Sequence, residues 1–568
     1  MPRLIINKQS VDVSLGCTIL DAAQKLGITI PTLCYLQGKP GFTSCMICVV
    51  KNETTGRLVP SCSAPAIEGM VINTDSDEVR QERKKILDLL LSEHAGDCEA
   101  PCTTTCPARM DIPLMIRQIE AGQMKEAYET VTERIALPAV LGRICPAPCE
   151  NACRRGHHDA PVSICLLKRF VADSALKVDA DVATLRSQRS LPSLRSTSPA
   201  ASGSRKVAII GAGPAGLAAA FYLARAGHAC TVFDEHEEPG GQLRYRVARD
   251  KLPLDVLDRE IDVIRKLGVI FQMNTRIEPG EGIQRLKADY DAIVLTPGRT
   301  HGDSWHLWPV ESDGRGVKFE AGTFRTSDPV VFAGGEVVHV GQMSVRAVAH
   351  GKSIACAIDQ WLGGRPVVGL EKSFESRLGR LREGEIDEMM KDADPLARVE
   401  PEGEHGAGYS TDKAVQESRR CLQCDCRKAR HCKLRDLSAE YGASQKTFTG
   451  GVRTKFTRLV SDTPHLNPLP QGERKDENHR LPLPSGERVG VRVSSASQVI
   501  LESGKCIKCG ICVHLSGLAF LGRGYETVVG VPFGDSLESA LGSTAAECVS
   551  KCPTGALVWK KPFNGPLS

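Results

Sequence analysis

The sequence predicts a multidomain chain of mixed α+β and α/β class, and three observations carry that expectation. The first is length: 568 residues exceed what one core can serve and imply about three to five domains. The second is a change of period. Residues 1–75 alternate apolar and polar in short runs ("RLIINKQSVDVSL", "MICVVKNETTGRLVPSC", "GMVINT"), as half-buried strands do, whereas residues 205–365 alternate strand-like and helix-like stretches, as a parallel sheet requires. The third is a set of 23 cysteines, most of them in tight groups two or three residues apart, a spacing that suits metal ligands rather than disulfides.

Composition narrows the function classes. Hydrophobic content of 41% and charged content of 25% are ordinary for globular proteins. A net charge of +4 is weak for this length and argues against a dedicated nucleic-acid binder. The opening "MPRLIINKQSVDVSLG" lacks the apolar core of a signal peptide, and no apolar run is long enough to span a membrane. Grouped thiols without an export signal imply a reducing compartment, the cytoplasm, with any membrane link made through a partner.

The elements follow in order. Residues 1–78 read as a small domain of short strands. Residues 79–180 open on the amphipathic helix "DEVRQERKKILDLLLSEH" and continue as helical segments rich in cysteine. Residues 181–204 read as a linker, because "RSQRSLPSLRSTSPAASGSR" is Ser/Pro-rich and has little to bury. Residues 205–368 form the α/β domain, and 369–445 a polar helical segment that ends in a cysteine cluster. Within 460–497 "NPLPQGER" recurs as "LPLPSGER"; two Pro-rich copies around a polar spacer cannot bury a core, so a disordered surface insertion is expected there rather than a docking segment. Residues 498–560 form a last small cysteine domain.

Four cysteine groups are candidate metal sites. Cys34, Cys45, Cys48 and Cys62 supply four thiolates with gaps of ten, two and thirteen residues, as a [2Fe–2S] cluster needs. A second group runs through Cys98, Cys102 and Cys106, then Cys145, Cys149, Cys153 and Cys165. The third, "RRCLQCDCRKARHCKLR", holds Cys421, Cys424, Cys426 and Cys432 within twelve residues and is expected to form one [4Fe–4S] centre. The fourth pairs "KCIKCGICVHLSGLAF" with "ECVSKCPTGAL". A two-cluster ferredoxin carries C-x2-C-x2-C-x3-C-P, but Ser516 stands at the fourth place, so one [4Fe–4S] cluster remains, on Cys506, Cys509, Cys512 and Cys552. Cys548 is then left over, and Cys17, Cys230 and Cys356 read as small buried hydrophobes.

The nucleotide signature is "KVAIIGAGPAGLAAA". Gly211 makes the tight turn, Gly213 lets the backbone approach a pyrophosphate, and Gly216 allows close helix–strand packing; Pro214 and Ala215 open the helix whose N-terminus faces the phosphates. "CTVFDE" places Asp234 about twenty residues on, suited to a ribose hydroxyl pair.

Resemblances sharpen these readings. The first cysteine group and its "SCMICVV" loop resemble the N-terminal β-grasp ferredoxin domain of the large iron–sulfur subunit of complex I, shared with hydrogenase and formate dehydrogenase subunits. "CTTTCPARMDIPLMIRQIEAG", "LPAVLGRICPAPCENACRRGHHDAPVSICLLKRF" and "LPLDVLDREIDVIRKLGV" resemble the glutamate synthase small subunit and the N-terminal part of dihydropyrimidine dehydrogenase. That resemblance implies two [4Fe–4S] clusters on the second group. The family's first run has four cysteines and this one has three, so the eighth ligand is either His94, four residues before Cys98, or Cys165. It also implies FAD, held by Gly240, Gly241 and Arg244 of "EEPGGQLRYRV" and by Gly334, Gly335 and Glu336, where Glu336 replaces the family's Asp. The C-terminal domain resembles a two-cluster ferredoxin reduced to one.

One family part is missing. Only 35 residues separate Gly298 from Gly334, where the family inserts a second dinucleotide domain for NADPH of roughly a hundred residues. The expected cofactors are therefore FAD, one [2Fe–2S] and about four [4Fe–4S] clusters, with the NAD(P)H or substrate site on a protein partner. No Ser/His/Asp set or carboxylate pair suggests a rival active site. The expected function is an electron-transfer oxidoreductase subunit working with a diaphorase, a hydrogenase or a formate dehydrogenase. The alternatives are a glutamate synthase-like NAD(P)H-dependent reductase and a scaffold with vestigial centres.

Overall fold

In a computed structural model, the chain opens on five short strands, β1 (Arg3–Ile6), β2 (Gln9–Asp12), β3 (Val49–Asn52), β4 (Arg57–Pro60) and β5 (Val71–Asn73), of which β1 alternates exposed and buried residues strictly. Their order is β2-β1-β5-β3-β4, with β1 and β5 parallel and the other pairs antiparallel. The helix Ile19–Lys25 starts at a capping box between Thr18 and Asp21 and packs Ile19, Leu20, Ala22 and Ala23 onto this sheet. This is the sheet-and-helix arrangement expected of the N-terminal domain. The helix Asp77–Ser92 follows, capped by Ser76 and acidic in its first turn, burying Val79, Arg83, Leu87 and Leu91 at i, i+4 spacing.

The structure describes residues 1–177, 205–299, 304–339, 341, 343–370, 373–401, 407–448, 453, 455–460 and 498–560. The Ser/Pro-rich linker and the two Pro-rich copies lie outside them.

The described chain divides into two compact units. One comprises Met1–Glu99, Phe374–Asp392 and Asp425–Ser568; the other comprises Ala100–Ser373 and Ala393–Cys424. The second unit is therefore inserted in the first in two segments, with Phe374–Asp392 of the first unit running between them. The segment 369–445, expected as one helical piece, is shared between the two.

The inserted unit begins with six helices, from Pro101–Thr105 to Ile164–Lys177, and continues into a parallel sheet of β6 (Lys206–Ile210), β7 (Ala229–Phe233), β8 (Ile270–Gln272), β9 (Ala292–Leu295) and, past the short β10 (Ser312–Asp313) and β11 (Gly316–Val317), β12 (Val331–Ala333). The order is β12-β9-β6-β7-β8. The central strand β9 is wholly buried, as a parallel strand covered on both faces must be, and the edge strand β12 is buried as well. Between β9 and β12 the described residues form only a short helical turn and the β10–β11 hairpin, so no second dinucleotide domain stands there among them.

The enclosing unit is completed by β13 (Arg458–Val460), β14 (Val499–Glu502), the hairpin β15 (Ala519–Leu521) with β16 (Val528–Gly530), and β17 (Leu557–Trp559), in sheets ordered β13-β14-β17 and β15-β16. At the end of β14, Glu502 is buried between Arg458, 2.7 Å away, and Lys505. Burial raises the Glu502 pKa, but Lys505 and Arg458 outweigh it and hold the carboxyl at about 2, below its ordinary 4.5. Stability from this group is present above pH 4.5 and is lost as pH falls toward 2, a swing of about 3 kcal/mol. Glu502→Gln therefore starts less stable, yet its thermal midpoint falls less steeply than wild type between pH 6 and 3. Parallel slopes would contradict this account of Glu502.

Candidate iron–sulfur and nucleotide sites

None of the 23 cysteines forms a disulfide. In the N-terminal domain Cys34, Cys45, Cys48 and Cys62 are all buried. Cys34 accepts hydrogen bonds from Cys45 and Cys62, which hold its thiol near about 2, and Cys62 pulls Cys48 down to about 7. The long gaps of the sequence thus close into one set, with the loop before β3 supplying Cys45 and Cys48.

In the C-terminal domain Cys506, Cys509, Cys512 and Cys552 line one cavity with Val529 and Leu557. This is the set read from the broken ferredoxin motif. Cys548 packs in the core behind it, wholly buried and 3.8 Å from Thr544 Oγ1.

The two middle groups are rearranged. Cys106, Cys145, Cys149 and Cys165 surround the buried Lys168, whose Nζ lies 3.8 Å from Cys165 Sγ. Burial pulls the Lys168 ammonium down, and Cys165, Cys145, Cys149 and Cys106 more than offset it, so its pKa stands above the ordinary value. Cys145 and Cys165 are themselves hydrogen-bonded. Cys102 and Cys153 line a different cavity, together with Cys421 and Cys424. Cys98 belongs to the enclosing unit, where the Cys426 N–H donates to its carbonyl at 3.2 Å and its thiol interacts electrostatically with Cys426 and Cys432. The run Cys421–Cys432, expected to form one centre, is divided between the two compact units, with Cys421 and Cys424 in one and Cys426 and Cys432 in the other. Of the two candidates for the eighth ligand, Cys165 stands with Cys145 and Cys149, whereas His94 lies in the unit that holds Cys98. His94 is half-buried, its buried Nδ1 has no hydrogen-bond partner, and desolvation followed by Lys505 pushes its pKa down to about 4.

Close backbone packing holds these ligands. A Cβ at Gly96 would stand 2.7 Å from Lys505, one at Gly504 2.7 Å from the Ala95 carbonyl, and one at Gly555 2.2 Å from Cys426 Sγ. Within the enclosing unit, Cys34, Cys45, Cys432 and Cys509 share one buried cluster with Leu33, Ile47 and Leu434. Among the described residues no three or more His, Cys, Asp or Glu side chains converge on a single-ion position. A cluster spreads its ligands over several irons and so requires no such convergence.

At the nucleotide site, β6 ends at Gly211, whose φ of +99° is a left-handed conformation that favours glycine. A Cβ at Gly241 would approach Gly213 Cα at 2.9 Å, and one at Gly335 would approach Ala215 Cβ at 3.1 Å. Gln242 donates to Glu336, so the segments after β7 and β12 meet beside the helix Pro214–Ala226. The glycines proposed for FAD converge on this helix N-terminus, and the cradle they leave fits a pyrophosphate. The Asp234 carboxylate accepts from Ala212 N–H at 2.7 Å and from His236, which braces the glycine turn while leaving acceptor capacity. Arg244 is placed differently from the expectation: it is buried, donating to the Pro239 carbonyl at 2.7 Å and to Asp258. These bonds brace the Gly240–Gly241 turn.

Sequence reasoning missed the residues that fix the Cys421–Cys424 loop. Arg420 and Glu417 are fully buried 2.9 Å apart, and Arg117 donates to Gln423 at 2.6 Å. The one signal available was numerical: the second group was short of ligands for two clusters.

Comparison with known proteins agrees with these parts. Residues 3–77 match a 2Fe–2S iron–sulfur cluster binding domain, 75–180 match dihydropyrimidine dehydrogenase domain II with its 4Fe–4S cluster, and 209–273 match an NAD(P)-binding Rossmann-like domain. The chain is 41% identical over 207 residues to NADP(+)-dependent formate dehydrogenase subunit beta of Moorella thermoacetica, covering 35% of this chain and 29% of that protein. It is 35% identical over 226 residues to NAD-dependent dihydropyrimidine dehydrogenase subunit PreT of Escherichia coli K12, covering 39% and 52%. To the glutamate synthase [NADPH] small chain of Mycobacterium tuberculosis it is 33% identical over 237 residues, covering 42% and 43%. The chain thus spans 29% to 52% of the length of these relatives. It is a relative of oxidoreductase subunits that joins a 2Fe–2S domain, a domain II-type 4Fe–4S module and an NAD(P)-binding Rossmann-like domain in one polypeptide.

Proposed function

We propose that this chain is a flavin- and iron–sulfur-containing oxidoreductase subunit that passes electrons between FAD, its clusters and a partner enzyme of the diaphorase, hydrogenase or formate dehydrogenase type. The observation that supports this reading is one buried cluster that contains Cys34, Cys45, Cys432 and Cys509, candidate ligands from three cysteine sets of one unit. Adjacent one-electron centres form a relay; isolated metal sites kept for stability have no reason to be adjacent.

A bound flavin would accept two electrons together and release them singly, which suits a protein rich in one-electron centres. The chain's own residues do the rest. Gly211, Gly213 and Gly216 bring backbone N–H groups to the phosphates, Gly241 and Gly335 keep the cradle open, and Gln242 with Glu336 fix its far side. Among the described residues no second dinucleotide domain lies between β9 and β12, so the NAD(P)H or substrate site is assigned to the partner. Among the described residues no helix is long and apolar enough to cross a membrane. Reduced thiols in this number place the proposed complex in the cytoplasm.

Twenty ligands, His94 and nineteen cysteines, fill five sets of four. Protein purified without oxygen should carry one FAD and about eighteen iron atoms, counted as one two-iron and four four-iron clusters. Iron near zero would sink the redox reading. A second reading, an NAD(P)H-dependent reductase of glutamate synthase type, is favoured by the NAD(P)-binding description of residues 209–273. The two part on one measurement: in our reading NADPH leaves the flavin of the isolated chain oxidised, and rapid bleaching would establish the second.

A further inference from the structure

In the helical module Cys106, Cys145, Cys149 and Cys165 all interact electrostatically with Lys168, whereas Cys102 and Cys153 line a separate cavity. Four thiolates are needed for a cubane cluster. From the other end of the inserted unit, about 270 residues later in the chain, Cys421 and Cys424 enter the cavity that Cys102 and Cys153 line.

We propose that Cys102, Cys153, Cys421 and Cys424 together hold one [4Fe–4S] cluster, so that the Cys421–Cys432 run serves two separate centres. The proposal rests on the iron–sulfur reading above and goes beyond it in naming which thiols share a cluster. Three observations carry it.

The cavity has the right lining. Apart from the four sulfurs it is walled mainly by apolar side chains, including Ile112, Ile116, Val162 and Ile164, and its one charged residue is Arg154. An iron–sulfur core with four thiolates carries net negative charge, and a single nearby guanidinium in an apolar wall suits it. No carboxylate or imidazole competes for iron there.

The loop is built to hold its position. Cys421 and Cys424 are two residues apart, which lets both reach one cluster. Arg420, just before the first, is fully buried and bonded to Glu417 at 2.9 Å, to Asp159 at 3.1 Å, and to the Leu396 and Ala160 carbonyls at 2.9 and 2.8 Å. Arg155 donates to the Arg420 carbonyl at 3.1 Å. Gln423, just before the second cysteine, takes a left-handed φ of +50° and accepts from buried Arg117 at 2.6 Å. A buried ion pair at one end of a two-cysteine loop and a buried guanidinium–amide hydrogen bond at the other are an expensive arrangement for an ordinary surface turn.

The remaining half of the run is engaged elsewhere. Cys426 and Cys432 lie with Cys98 in the enclosing unit, and Cys432 Sγ stands 3.8 Å from the Pro553 carbonyl. They are not in the cavity of Cys421 and Cys424.

The test uses the full chain purified without oxygen and reduced with dithionite, read by metal content and electron paramagnetic resonance. Cys421→Ala and Cys102→Ala should each lose about four iron atoms and the same resonance, and the double variant should lose no more than either alone. Cys426→Ala should keep that resonance and lose another. Cys424→Ser, whose hydroxyl can still ligate iron, should shift the resonance that Cys102→Ser shifts; this arm remains informative if an alanine variant fails to fold. The ligand set is overturned if Cys421→Ala and Cys426→Ala remove one common signal while Cys102→Ala leaves it intact. It is overturned equally if the wild type carries one zinc that Cys421→Ala releases without loss of iron. Absence of iron from the wild type would instead overturn the electron-transfer reading itself, so the two failures are distinguishable.

Discussion

Gly216→Ala should weaken retention of the FAD proposed for this site. A methyl at this position would sit 1.9 Å from the Gly211 carbonyl oxygen and 2.9 Å from Thr296 Oγ1. Neither neighbour can yield. Gly211 is itself pinned, with φ at +99° and the Thr296 carbonyl 2.1 Å from where its own Cβ would be. The extra carbon must push the helix Pro214–Ala226 off the strand end and carry its N-terminal N–H groups away from the pyrophosphate position. Flavin affinity is expected to fall at least tenfold, or about 1.4 kcal/mol, and much more if the turn rearranges. The check is the ratio of flavin to protein after desalting, beside the iron count. Iron bound by the enclosing unit should survive, because its ligands come from residues outside Ala100–Cys424. Full flavin retention would show that the nucleotide lies elsewhere.

The second large effect is on stability. Glu417→Ala should destabilise the inserted unit by about 3–5 kcal/mol, the range for breaking a buried charge pair. Glu417 accepts from Arg420 at 2.9 Å and from the backbone N–H groups of Ser163 and Val399, each at 2.8 Å. All three donors are buried. Removing the carboxylate leaves a guanidinium and two amides without that acceptor, and the loop bearing Cys421 loses its anchor. Glu417→Gln, which keeps the shape and one oxygen, should recover part of the loss. Urea unfolding of the inserted unit, followed by flavin fluorescence, measures it. An unchanged midpoint would mean that Asp159 alone compensates Arg420. By contrast, breaking the exposed pair Arg259–Asp255 should change little.

Much of this protein was legible as sequence because its chemistry is local. The Gly211–Gly216 turn, the N-terminal strands and the C-x2-C-x2-C run at Cys506–Cys512 are each fixed by residues a few positions apart, and short-range sterics and spacing decide them. The expectation of one C-terminal cluster rather than two rests on Ser516 and on a second run that keeps only Cys548 and Cys552. The gap between Gly298 and Gly334 likewise settled, by length, that a second nucleotide domain has no room.

What only the tertiary structure shows is which distant thiols line one cavity, Cys102 and Cys153 with Cys421 and Cys424. Sequence proximity put Cys424 with Cys426 and Cys98 with Cys102. In the fold, one of each pair belongs to the inserted unit and the other to the unit that encloses it. Arg244 illustrates the same limit on a smaller scale, since its partners Pro239 and Asp258 were not read from the motif around it. A cluster needs four ligands around one volume, and volume is a property of the packed chain. Spacing tells how far two residues can reach, but the buried pairs of Arg420 with Glu417 and Arg117 with Gln423 determine where that reach is spent.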